Sequence, residues 1–138
     1  MKKYFFLLAS FIATVAFSQN DSIVESEVSI NKFIDGTLTI PSVADHPDLV
    51  ILIQGSGPTD RNGNGFMMRN DASKLIAKEL ATNGIASYRF DKRIFKMNKY
   101  KIREEELKFE DFVGDVSAIL DHFKAENTFG KIIIAGHS

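Results

Sequence analysis

Cysteine is absent from the 138 residues, so neither a disulfide framework nor a thiolate metal site can form. A lipid-modified cysteine at the start of a mature lipoprotein is excluded for the same reason. An excess of one charge is also lacking: 17 Lys and Arg against 18 Asp and Glu leave a formal net charge of -1. That balance gives no reason to expect nucleic acid as a partner. There is no internal repeat and no low-complexity tract, and beyond the first residues no run is long or apolar enough to span a bilayer. What remains is an ordinary globular composition, 44% hydrophobic and 25% charged, in a length that suits one domain.

The first residues read as an export signal. Lys2 and Lys3 precede an apolar run from Tyr4 to Phe17, and Ala16-Phe17-Ser18 puts small residues at the two positions a signal peptidase reads. Cleavage is expected after Ser18, leaving Gln19 first and the mature chain at residues 19–138, periplasmic or secreted. As a permanent anchor the run is short, about 14 residues against the roughly 20 a spanning helix needs.

Residues 22–30 and 33–40 carry β-branched residues with partial alternation, with Asp35-Gly36 as the turn or bulge signal between them, and read as an antiparallel pair closed by Pro41. Leu49-Val50-Ile51-Leu52-Ile53 has no polar break, as expected of a strand buried on both faces of a parallel sheet. A helix is predicted over 71–82, with Asp71 as N-cap, Ala72, Leu75, Ile76 and Leu80 on one face, and Asn83-Gly84 as its stop. Residues 85–90 form the next strand. A longer helix, 108–124, is lined by Phe109, Phe112, Val113, Val116, Leu120 and Phe123, with Gly114 marking a close approach to the sheet. A third buried-type strand covers 131–135. Strands alternating with amphipathic helices imply an α/β fold: antiparallel edge strands leading into a doubly wound, mostly parallel sheet.

Ligands of open α/β sheets sit beyond the carboxyl ends of the strands. Three loops leave such ends: 54–64, 91–103 and Gly136-His137-Ser138. The last has the start of a nucleophile elbow, G-x-S-x-G, in which a small residue lets the backbone bend and lifts the serine hydroxyl off the sheet. A bare G-x-S is weak by itself; its place after the third parallel-type strand makes Ser138 the candidate nucleophile. His137 is not its base, because a neighbour in sequence points away from the hydroxyl at such an elbow, and a packed, hydrogen-bonded role is expected for it. In Gln54-Gly55-Ser56-Gly57 the Ser56 backbone N–H is the candidate oxyanion donor, with glycines on either side permitting the turn. A plain glycine turn is the simpler reading of that segment.

Three blocks carry a family resemblance: Leu52-Ile53-Gln54-Gly55-Ser56-Gly57-Pro58-Thr59-Asp60-Arg61-Asn62-Gly63-Asn64, Ile85 to Arg93, and Ile134-Ala135-Gly136-His137-Ser138. In order and spacing they resemble a family of exported bacterial α/β-hydrolases. The resemblance implies a Ser-Asp/Glu-His triad, an esterase-like activity on a small-molecule acyl substrate, and no cofactor. It also implies that residues 19–138 are the N-terminal half of the domain, inactive alone, with the triad acid and histidine beyond residue 138. Ile94 follows Asp91-Lys92-Arg93 where many relatives continue with glycine. The alternative is a non-catalytic binding protein that kept the fold, since a fold alone does not give a function.

Two other patterns compete for attention. Asp60, Asn62, Asn64, Gly65 and Asp71 match a calcium-loop spacing, but they follow a strand and supply only two carboxylates, so a loop on the rim of the site is the better reading. Arg89, Lys92, Arg93, Lys96, Lys99, Lys101 and Arg103 form a basic stretch that could attract anions. Beside Glu104-Glu105-Glu106 it reads instead as a solvated loop. His46 and His122 have no ligand-like spacing.

Overall fold

The computed structural model describes residues 23–137; the predicted signal segment and Ser138 lie outside the described residues. Five strands form one mixed sheet in the order β1-β2-β4-β3-β5. They are β1 (Ile23–Asn31), β2 (Ile34–Pro41), β3 (Leu49–Ile53), β4 (Ala86–Phe90) and β5 (Ile132–Gly136), with helices α1 (Ala72–Thr82), α2 (Met97–Tyr100) and α3 (Phe109–Glu126). β1 and β2 pair antiparallel, β2 joins β4 antiparallel, and β3 runs parallel to both β4 and β5. The α/β architecture with an antiparallel edge is therefore as the sequence patterns imply. Among the described residues no helix is long and apolar enough to cross a membrane.

Strand alternation divides the sheet into two chemically different faces. On one, Leu38, Tyr88, Ile51 and Ile134 are register partners in a row. Leu49, Ile51, Ala86, Tyr88 and Phe90 there join Ile119, Phe123 and Phe129 in the larger core. Tyr88 is fully buried, and its hydroxyl donates to the Val28 carbonyl oxygen at 2.9 Å. Burial also pushes its phenol well above the ordinary tyrosine range. On the other face Val50 and Leu52 pack against Ala77 of α1 in a smaller cluster. Toward β2 and β1 that second face turns polar, with Glu27, Thr37, Arg89 and Leu52 in one register row.

The helix faces differ from those the sequence predicts. α1 buries Ser73, Ala77 and Ala81, while Leu75 and Ile76 are exposed. Small residues let the helix axis approach the sheet closely, which outweighs the larger side chains on its outer side. Asp71 occupies the N-cap with a left-handed backbone (φ 50°) and makes no side-chain cap bond. The first N–H groups go instead to the Asn70 side chain and the Asn62 carbonyl oxygen, both at 3.0 Å. The Asn83-Gly84 stop is where the sequence puts it, and Gly84 has φ +77°. In α3 the buried line is Asp115, Ile119 and Phe123, with Phe109 and Val113 exposed. A Cβ at Gly114 would meet nothing within 4 Å, so that glycine marks no close approach. β5, a buried-type strand by its sequence, lies at the edge of the sheet among the described residues, where only Ile132 packs into the core, and Ile133 and Ile134 are 45% and 48% exposed.

Candidate active site

The winding direction of the sheet sets where a site can lie. From β3 the chain passes through α1 to β4 on one side, then crosses back to β5 on the other side of β3. The crevice beyond the carboxyl ends of β3 and β5 is thus a point of topological reversal, where ligands of such sheets bind. The parallel register ends with Ile53 opposite Gly136, and the His137 N–H extends the ladder by donating to the Ile53 carbonyl oxygen at 3.1 Å. Two segments singled out in the sequence, Gln54-Gly55-Ser56-Gly57 and Gly136-His137, therefore leave adjacent strands side by side. His137 is exposed, with its backbone bonded, rather than packed as predicted. Ser138 is the next residue and lies outside the described ones.

A cleft of about 910 Å³ opens at this point. Its lining combines the loop Gln54 to Pro58, Ser56 included, with Lys92 and His137, and a largely apolar set, Ile94, Phe95, Met97, Leu107, Phe109 and Phe112, to which Glu104 adds a carboxylate. An apolar wall facing a few polar groups is the usual make-up of a small-molecule site. Phe95 and Phe109 are 45% and 77% exposed, so much of this wall has no covering side chain among the described residues.

Three consecutive residues at the end of β4 hold the cleft together, each tied to a different segment. The Asp91 carboxylate accepts the Arg61 backbone N–H at 2.9 Å, and Arg61 Nε and Nη2 at 2.9 and 2.7 Å. Arg61 also reaches Thr37 and Glu27, pinning the loop after β3 onto the polar face of the sheet. Burial works to lower the Arg61 pKa, but its bonds to Asp91 and Glu27 outweigh that and raise it. Lys92 Nζ donates to the Gly55 carbonyl oxygen at 2.7 Å and to that of Gly57. Arg93 makes a two-pronged pair with Asp115 of α3 at 2.7 and 2.6 Å, and touches Asp111 at 3.1 Å. Asp115 is the main reason the Arg93 pKa is raised.

The basic stretch is consequently neither an anion trap nor a solvated run over its first half. Arg89 is buried and bonded to Thr39, Asn62 and Glu25, and Lys96 pairs with Asp35. The 3-10 turns Arg93–Lys96 and Glu104–Glu106, with α2 between them, order the segment, and Arg103 pairs with Glu105 and Glu106. A second cavity of about 510 Å³ borders Glu25, Glu27, Arg61, Arg89 and Asp91, but these charges satisfy one another.

The calcium-loop pattern has an internal explanation too. Asp60 Oδ1 accepts the backbone N–H groups of Asn62 and Asn64, both at 2.9 Å. Asn64 Oδ1 accepts those of Asn70 and Asp71 at 3.0 and 2.9 Å, and Asn62 Oδ1 accepts Arg89 Nε at 3.1 Å. These oxygens serve as turn-forming acceptors, the ordinary use of Asp and Asn in loops. The loop borders the polar cavity behind the site.

Sequence reasoning missed Lys92 as an individual, since it stood in a run of seven basic residues. The only local hint was its position directly after a strand end.

No protein-family model matches the chain. Among curated proteins it is similar to esterase EstD of Thermotoga maritima, with 28% identity over 120 residues covering 86% of this chain and 27% of the esterase. The chain thus spans about a quarter of the length of that relative.

Proposed function

We propose that this chain is the N-terminal part of an exported serine hydrolase that cleaves an ester, thioester or amide through an acyl-enzyme. In this reading Ser138 is the nucleophile, the Ser56 backbone N–H is one oxyanion donor, and the triad acid and histidine come from elsewhere in the complete protein. The observation that carries the reading is the register at the end of the parallel ladder, Ile53 opposite Gly136, with the His137 N–H bonded to Ile53. It brings Gly136-His137, the residues that precede the proposed nucleophile in sequence, beside the glycine loop, and acyl transfer needs a nucleophile and N–H donors around one carbonyl carbon. The similarity to an esterase over most of the chain supports the same class. The apolar wall of the cleft suits the hydrocarbon part of an acyl substrate.

Steady-state hydrolysis of p-nitrophenyl esters by the complete protein tests this. Ser138→Ala should abolish turnover, whereas Ser56→Ala should change kcat only a few-fold, because the donor is a main-chain N–H. Loss of one oxyanion donor typically costs about 10²–10³ in kcat; a drop that large in Ser56→Ala refutes the backbone role. A binding protein that kept only the fold would show no turnover even in its unaltered form. Export is checked by N-terminal sequencing, with Gln19 the expected first residue and Met1 in the exported fraction the contrary result.

A further inference from the structure

We propose that Lys92 is a positioning residue for the oxyanion-binding loop, holding the Gly55 carbonyl so that the N–H of the same peptide group, that of Ser56, is presented to the reacting carbonyl. The inference rests on the acyl-transfer reading above and adds a residue to it.

The geometry follows from one peptide plane. Gly55 C=O and Ser56 N–H belong to the same peptide group, which is planar and trans, so the two bonds point in opposite directions. Lys92 Nζ binds the Gly55 oxygen at 2.7 Å, which directs the Ser56 N–H away from the ammonium. Among the described residues that N–H meets no acceptor. An unpaired N–H, fixed in direction on the wall of a cleft, is what an oxyanion donor requires before substrate arrives.

The second bond keeps the loop from rotating. Lys92 also binds the Gly57 oxygen, which accepts the Thr59 N–H at 3.0 Å as well. The Gly57 carbonyl is bonded to Pro58 nitrogen, which carries no hydrogen, so this contact fixes the loop without turning a donor. Gly57 itself has φ +90°, a conformation other residues rarely hold, and while the Gln54 side chain is tied to Ser73 at 2.6 Å, Gly55 and Gly57 have no side chains to hold their peptide groups. The ammonium supplies that lock. It also polarises the Gly55–Ser56 amide in the direction that strengthens its N–H as a donor. Lys92 is half-buried, and burial lowers its pKa, consistent with an ammonium committed to the protein rather than to water.

The test compares the complete protein with Lys92→Met and Lys92→Gln in ester hydrolysis, in inhibition by phenylboronic acid, and in melting temperature. A boronate adduct on the serine is tetrahedral and so reports the oxyanion site. Lys92→Met should lower kcat about 10- to 100-fold, at or below the loss from deleting an oxyanion donor outright. KM should stay nearly constant, and the inhibition constant should rise in step with the fall in kcat. Lys92→Gln, a neutral donor, should fall between. Unaltered kcat in a folded Lys92→Met protein, or a change in KM alone, overturns the inference. So does loss of the folded state in both variants, which would make the clamp purely structural. An unaltered protein that neither hydrolyses esters nor binds the boronate overturns the acyl-transfer reading itself, and this inference with it.

Discussion

Replacing Asp115 by alanine tests whether the cleft is held from behind by α3. The side chains of Arg93 and Asp115 are 13% and 5% exposed, and their two bonds join the segment that carries Lys92 to the middle of the helix. Breaking a buried pair by removing one partner costs about 3–5 kcal/mol, chiefly because the other charge stays behind unpaired. Here Arg93 keeps Asp111 at 3.1 Å and the face of Phe33 at 4.8 Å, so the lower end applies, about 3 kcal/mol. Urea unfolding of the complete protein is followed by far-UV circular dichroism. With a slope of about 1.5 kcal/mol per molar, the midpoint should fall by about 2 M at unchanged slope. The double variant Arg93→Met/Asp115→Leu removes both charges and fills the space. It should lie within about 1 kcal/mol of the unaltered protein, a coupling far outside simple additivity. A midpoint shift below about 0.5 M for Asp115→Ala, or a double variant as unstable as the single, would refute the reasoning.

Gly36 lies under the Tyr88 ring, where an added Cβ would sit 2.3–2.6 Å from ring atoms, and the ring is confined by Phe90 and Phe123. Gly36→Ala should therefore destabilise by about 3 kcal/mol, read as a lower melting temperature, and an unchanged one would contradict the packing. Calcium at millimolar concentration should leave the melting temperature where it was, since the Asp60 and Asn64 oxygens already accept backbone N–H groups. A rise of several degrees would restore the calcium-loop reading.

Much of the sheet was legible because its signals are local. The unbroken run Leu49 to Ile53 lies buried through Leu52 between two layers, but the turn between β1 and β2, read at Asp35-Gly36, falls instead at Lys32-Phe33, with Asp35 and Gly36 already paired to Ser29 and Val28. The helices were harder, because counting apolar residues favours the bulkiest stripe. In α1 that stripe, Leu75 and Ile76, faces outward, while the packing face is Ser73, Ala77 and Ala81. In α3 the buried line begins with a carboxylate, Asp115, acceptable there because Arg93 reaches it from 22 residues away. The same limit hid Lys92, whose partners Gly55 and Gly57 lie 37 and 35 residues back in the chain. Side-chain reach across a crevice leaves no periodicity to read.

The central claim is that the crevice beyond β3 and β5 carries an acyl-transfer nucleophile. Its most direct test is to treat the complete protein with a fluorophosphonate and locate the adduct by peptide mass spectrometry. The account predicts one modified residue, Ser138, with both adduct and ester turnover lost in Ser138→Ala. Turnover that survives in Ser138→Ala, or an adduct on another serine such as Ser56, would contradict it.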